Sequence, residues 1–414
     1  MHNQGSWSTE KAAVTIVAIS LMLVSGAWAA SEQVLASLGP GVTGWAPEAG
    51  VIFDGSGNLY GMTAAGGDYK ACSSGCGVIF ELMPSSSGWT QTVIHAFTGK
   101  DGAYPTATLI IDNAGNLYGT TQLGGARNLG VVFELTPNTG GGWTEKVLHS
   151  FSGGYDGETP RAGLIADPAG NFYGTTVLGG AHSEGAAFEL MPISTGWKYR
   201  VLHSFGEKGK RPFGGLIFDT SGNLYGTTWG GGLVGSGVVF ELKRNSGGEW
   251  REIVLHSFMG RKVASKDGRQ PFVGLVFDGK GNLYGATDAG GTHHNGRGVI
   301  FELMPASNGK WTEKVLHYGE LDGGYGYLSS LVFDAAGNLY GGASAGGRNY
   351  FGTIFRLEPT TSGFWRETVV HSFQCCGDGT SPTGALIWDS AGNLYGTTVG
   401  GGTYGYGTVF QVTP

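Results

Sequence analysis

Charge is scarce in this chain. Only 14% of its 414 residues are Asp, Glu, Lys or Arg, against about 25% in an ordinary soluble domain. The formal charge of -7 and the pI near 5.8 exclude a binder of nucleic-acid backbone, which needs clustered Lys and Arg. Cysteine occurs four times, and long apolar runs are absent beyond residues 12–24. No catalytic triad, phosphate loop or dinucleotide fingerprint stands in the strand-to-helix setting that such motifs require. Glycine takes up the room, with 79 residues, roughly a fifth of the chain where about 7% is usual. A helical protein does not carry so much glycine, and without a three-residue glycine period the chain is not collagen. A content of 40% hydrophobic and 12% aromatic residues excludes a disordered chain. A large all-β protein with many tight turns remains.

The N-terminus reads as an export signal. Lys11 precedes the apolar run from Ala12 to Val24, and Ala27-Trp28-Ala29 offers the small residues that a signal peptidase needs. An apolar run of about 13 residues falls short of the ~20 that span a bilayer. Residues 1–29 are therefore expected to be a signal peptide. Residues 30–414 should form one exported, periplasmic or extracellular domain, monomeric and without a membrane span.

Self-comparison gives the architecture. The motif G-N-[LF]-Y-G places Asn58, Asn116, Asn171, Asn223, Asn282, Asn338 and Asn393 at near-regular intervals, and the 385 residues after the first 29 divide into seven units of 55. Repeats begin near residues 46, 103, 158, 212, 271, 326 and 381. Each holds four short β-like runs between glycine-rich turns, which predicts a seven-bladed β-propeller with four antiparallel strands per blade. The last repeat ends at GTVFQVTP without its fourth run, and Val34-Leu35-Ala36-Ser37-Leu38 matches that missing run. A strand over about 32–38 should therefore pair in the seventh blade and close the ring. Small residues Gly50, Thr108, Gly163, Gly215, Gly274, Ser330 and Ala385 put the first run of each repeat at the crowded axis.

The unit G-L-I-F-D-x-x-G-N-L-Y-G-T-T-x-x-G-G, followed by G-V-V-F-E-L and W-x-E-x-V-L-H-S-F, resembles the GloVer-type tandem repeat family of exported bacterial proteins over nearly all of residues 32–414. Its opening P-x-x-G-L-I-x-D-x-x-G-N-L-Y is also similar to the start of NHL-type propeller repeats. That resemblance implies no particular activity. The family's varied C-terminal sorting anchors have no counterpart here, which implies release rather than surface attachment.

Most repeated residues have a structural explanation. Asp54, Asp112, Asp167, Asp219, Asp278, Asp334 and Asp389 should cap their own hairpin turns. Trp89, Trp143, Trp197, Trp250, Trp311 and Trp365 should pack blades. His95, His149, His203, His256, His317 and His371 lie on the outermost strands, too far apart to share one metal. Glu81, Glu134, Glu189, Glu241 and Glu302 of the third strands suggest in-blade Glu-His or Glu-Lys contacts, since the seventh repeat loses both partners, with Gln411 and Ala36 in their places. Of the four cysteines, local pairs are expected, Cys72 with Cys76 and Cys375 with Cys376.

Function is expected where the repeats differ. The loops between second and third strands place Tyr69, Arg127, His182, His293, His294, Arg297, Arg348, Tyr350, Tyr404 and Tyr406 around one mouth of the ring, joined by Trp229. Aromatics mixed with Arg and His suit a glycan or a protein segment. The leading expectation is accordingly a non-catalytic binding or scaffolding propeller using no cofactor or metal. The alternative is a propeller hydrolase or lyase with a divalent metal held by His182, Glu184, His293 and His294.

Overall fold

The computed structural model describes residues 30–414 apart from 261–265, 292–295 and 362; the expected signal peptide lies outside these. Seven antiparallel sheets follow one another in chain order. In the second blade the strands are Ile110–Ile111, Leu117–Thr121, Val131–Pro137 and Trp143–Ser150. The first strand spans only two residues in every blade, because the segment before it turns into the axis and leaves the ladder. Short extra strands, Gly268–Pro271 and Thr380–Pro382, join the fifth and seventh sheets. Among the described residues no helix is long and apolar enough to cross a membrane.

The repeat consensus is a packing code. The second glycine of G-N-L-Y-G lies against the phenylalanine of the third strand: a Cβ at Gly226 would come within 2.7 Å of Phe240 Cζ, and the same clash recurs in all seven blades. Glycine is required there because the fully buried ring takes the volume that a side chain would need. No blade buries its faces alone. Ile79 and Phe97 of the first blade share a core with Leu117, Phe133 and Leu135 of the second. Each fourth-strand tryptophan from Trp143 to Trp365 meets the tyrosine of the preceding blade, as in the edge-on pair of Trp143 and Tyr60 at 5.9 Å.

Ring closure follows the expected route. Ser31–Ser37 pairs antiparallel with Thr408–Thr413, from Ser31 opposite Thr413 to Ser37 opposite Thr408. Leu35 then packs with Tyr395 and Val409 of the seventh blade and with Val51, Leu59 and Phe80 of the first. Ala36 takes the position of the histidines, opposite Val409 as His149 is opposite Val132.

The aspartates cap their turns. Asp112 accepts bonds from the backbone N–H groups of Ala114 and Asn116 and from Asn116 Nδ2, and the pattern recurs in all blades. Burial alone would raise these carboxyls, but the hydrogen bonds outweigh it and hold Asp112, Asp167, Asp219 and Asp389 below the usual carboxylate value.

The third-strand glutamates do not contact the histidines. Their partner is the motif tyrosine, whose hydroxyl donates to Glu81, Glu134, Glu189 and Glu302 at 2.7–3.0 Å; Glu189 also pairs with Arg200 and Glu241 with Lys243. Residues directly opposite across second and third strands share a face, and Tyr60 is directly opposite Glu81. The histidines face the seams between blades instead. His95, His149, His256 and His371 meet Asp101, Asp156, Asp267 and Asp378 of the connection that follows them, at 3.1–3.2 Å. Where that position holds Lys208 or Gly323, the histidine turns to the next blade's fourth strand: His203 to Glu252 and His317 to Glu367, at 3.2 and 3.4 Å.

Cys72 and Cys76 form a disulfide within the expected loop. The expected bond between Cys375 and Cys376 is absent: both thiols are free with sulfurs 3.2 Å apart. Adjacent residues place their Cα atoms about 3.8 Å apart, closer than disulfides favour.

Three outcomes follow. Deleting residues 31–37 should lower the thermal midpoint by roughly 10 °C or more, and an unchanged midpoint would remove the closing strand from the account. Thiol titration of unfolded, unreduced protein should count two free thiols, where four or none would contradict the assignment. Glu145 faces Asp101 and His95 across a seam; burial, and then Asp101, push it up to about 7 from 4.5, partly offset by His95. Its protonation favours the fold fully below pH 4.5, and that contribution is lost as pH rises through 7. Glu145→Gln should therefore leave the midpoint at pH 5 unchanged and raise it by roughly 1–3 °C at pH 8; an equal effect at both pH values would refute this.

Candidate functional site

One backbone device, repeated seven times, aims residues at the axis. Each connection bends at a left-handed residue: Ala46, Tyr104, Thr159, Arg211, Gln270 and Ser381, with φ of 55–59°, and Gly326 in the sixth blade. Non-glycine residues pay for this conformation. Here each of the six N–H groups is fixed by a carbonyl of the preceding blade, such as Arg211 N–H to Glu184 and Ser381 N–H to Phe351. Proline follows in six of the seven connections and seats on the glycine before the preceding blade's third strand; a Cβ at Gly185 would lie 2.7 Å from Pro212 Cδ. Threonines of the second strands then hold the segment, as Thr120 does by donating to Ala162 O and Thr227 by donating to Val273 O.

The next residue is thereby presented to the channel. The seven are Glu48, Thr106, Arg161, Phe213, Phe272, Leu328 and Thr383, and all line a cavity of about 480 Å³. Arg161 Nη2 lies 3.4 Å from Glu48 Oε2, two blades away. Phe213 and Phe272 stack at 4.8 Å, and the guanidinium of Arg161 sits 5.4 and 5.6 Å from their ring centres, which fixes an otherwise mobile side chain. Thr108, Ser330, Ser344 and Ser381 add hydroxyls to the lining. Ser344 stands in Gly342-Ala343-Ser344-Ala345-Gly346, nominally G-x-S-x-G, but its hydroxyl donates to Gly326 O at 3.0 Å and no helix follows. Asp288 lies close to this rim, its carboxyl raised by burial against the pull of Arg269.

The residues expected at the loop face do not line this cavity. Tyr69, Tyr350, Tyr404, Arg127, His182 and Arg348 are exposed. Tyr69 Oη accepts a bond from Gly41 N–H, Tyr406 packs edge-on against Trp45, and Arg297 lies over Tyr325 at 4.7 Å. Tyr404 covers Gly39 and His182 covers Gly206. Trp229 lines a separate cavity of about 330 Å³ with Glu184, Glu207, Lys210 and Arg211. Glu184 is engaged by Lys210 and Arg211 at 3.2 and 3.6 Å. His293 and His294 lie outside the described residues, so the alternative's metal set is not assembled among the described ones. Sequence reasoning missed the axial seven, although the variable position directly after the proline, as in Pro212-Phe213-Gly214-Gly215-Leu216-Ile217, carried the signal.

Known proteins of similar structure bear on the reading. A Bacteroides fragilis protein designated a 6-phosphogluconolactonase candidate is 14% identical with a TM-score of 0.50, the alignment covering 78% of this chain and 83% of that one. A Pseudomonas aeruginosa periplasmic gluconolactonase is 14% identical with a TM-score of 0.48, covering 78% and 85%. A Lactobacillus plantarum protein is 15% identical with a TM-score of 0.49, covering 81% and 95%. No curated protein matches in sequence. At such identities the likeness is one of fold. It nonetheless corrects the expectation of a non-catalytic binder, because that expectation rested on the lack of a catalytic motif in the repeats, and a propeller of this shape carries a lactonase name. The Gloeobacter/Verrucomicrobia repeat matches residues 27–217, 141–332 and 295–414, and the chain belongs to that repeat family.

Proposed function

We propose that this propeller is a hydrolase that opens small hydroxylated lactones at the channel mouth. The observation carrying the reading is the Glu48–Arg161 pair. Among seven equivalent axial positions, the single carboxylate and the single guanidinium are the two that meet, inside a cavity of monosaccharide size. A lactone fits this chemistry. Arg161 would polarise the carbonyl and hold the oxyanion. Glu48 would take a proton from water as the hydroxide oxygen adds to the carbonyl carbon, then return it to the ring oxygen as the C–O bond breaks. Atoms balance as lactone plus water giving the hydroxy acid. Phe213 and Phe272 offer a sugar ring an apolar face, and Thr106, Thr108 and Thr383 meet its hydroxyls. The lactonase names of similar folds guide the choice of substrate class.

The test is hydrolysis of an aldonolactone panel above the spontaneous rate. Glu48→Gln should lower kcat roughly 10²-fold or more, and Arg161→Met should lower kcat and raise KM. Both variants should keep the wild-type thermal midpoint within roughly 2 °C, since both side chains are partly open to solvent. No activity in the wild type, or full activity in folded Glu48→Gln, would overturn the proposal.

A further inference from the structure

The seams hold a second kind of site. The outer histidines cannot share a metal with one another, but at His95, His256 and His371 two blades bring carboxylates together. Two residues beyond four of the fourth-strand tryptophans stand Glu145, Glu252, Glu313 and Glu367, and the closing strand supplies Glu32 at the equivalent place. At the seam between the sixth and seventh blades, donor atoms of Glu32, His371 and Asp378 all lie within 4.8 Å of one another. His371 Nε2 is 3.1 Å from Asp378 Oδ2, and Oδ2 also accepts from Gln374 N–H at 3.0 Å. The remaining oxygens, Glu32 Oε1 and Asp378 Oδ1, are shut off from solvent and have no hydrogen-bond partner. Two facing carboxylates with orphaned buried oxygens call for a positive charge between them.

The molecule contains its own comparison. At the seam after His149, Tyr199 replaces the glutamate; its ring stacks on the imidazole at 3.9 Å, its hydroxyl donates to Asp156 O, and no oxygen of Asp156 or Tyr199 is orphaned. The orphaned oxygens appear at the seams that carry the glutamate: Glu32, Glu145, Glu252, Glu313 and Glu367 each have one. His256, Asp267 and Glu313 repeat the donor set, again within 4.8 Å.

We propose that Glu32, His371 and Asp378 bind a divalent transition-metal ion, zinc in the first instance, which clamps the closing strand to the sixth blade. One imidazole and two carboxylates suit zinc in kind and number, with water completing the shell. The two carboxylates and a neutral imidazole balance the ion's charge, and the imidazole ligates through Nε2 with its proton on Nδ1. His256, Asp267 and Glu313 offer the same chemistry at a second seam. Neither set includes the residues of the channel mouth, so this site stands or falls apart from the hydrolase reading.

The experiment uses the whole chain, freed of metal with EDTA and titrated with zinc by calorimetry and thermal unfolding. Zinc should bind and raise the midpoint. Glu32→Gln should bind one ion fewer, or that ion roughly tenfold more weakly, and Glu313→Gln should do so at the other seam. Glu145→Gln, and Cys375→Ser with Cys376→Ser, should retain wild-type stoichiometry. In the unmutated protein, bound cobalt should show no thiolate charge-transfer band, which keeps the test valid if a variant fails to fold. No zinc binding, unchanged binding in Glu32→Gln, loss only in the cysteine variant, or a thiolate band would each overturn the proposal.

Discussion

Everything in this structure depends on blades that cannot be stable alone. Each sheet has two apolar faces, and each is covered only by a neighbour, as when Ile79 and Phe97 share a core with Phe133. Burial of one such ring contributes about 1.5–3 kcal/mol, and the contribution exists only while the next blade is in place. A seven-membered chain of such dependencies has two raw ends, and Ser31–Ser37 removes both by pairing with Thr408–Thr413 while packing on the first blade. Closure is therefore a condition for the whole core. Its seam is also where His371, Asp378 and Glu32 converge.

The same dependency explains where chemistry can reside. Positions that carry the packing code, such as Gly226 under Phe240, are fixed in every blade. The axial residue after each proline is fixed in backbone and free in side chain, because its placement comes from the left-handed turn, the proline seat and the threonine bond, none of which involves its own side chain. A ring of seven rigid positions with unconstrained side chains can bring unlike groups together over one channel. Glu48, Arg161, Phe213 and Phe272 occupy four of them. The loops between second and third strands contribute indirectly, since the carbonyls of Glu184 and Phe351 fix the turns that aim the axial residues.

The fold was legible because repetition turns weak local signals into a strong one: G-N-L-Y-G, the closing Val34-Leu35-Ala36 and the capping aspartates all stand where the spacing put them. Histidine is not the partner of the third-strand glutamates, although Glu241 does meet Lys243, because co-occurrence within a repeat does not say which face of a strand a residue occupies. Tyr60 and Glu81 share a face, while His95 turns toward the neighbouring blade. The axial site was hidden for a related reason. Variation in long, polar loops draws attention, whereas a single variable residue directly after a proline does not, and only the closed ring brings Glu48 and Arg161, 113 positions apart, to one point.

A lactone hydrolase of this kind must take its ligand on the residues that break the sevenfold repetition at the axis. A crystal structure of the protein soaked with an aldonate, the product of lactone opening, decides the point. The carboxylate of the ligand should lie on Arg161 and its carbon chain against Phe213 and Phe272. Ligand bound instead beside Trp229 and Arg211 at the loop face, with the channel mouth left empty, would contradict it.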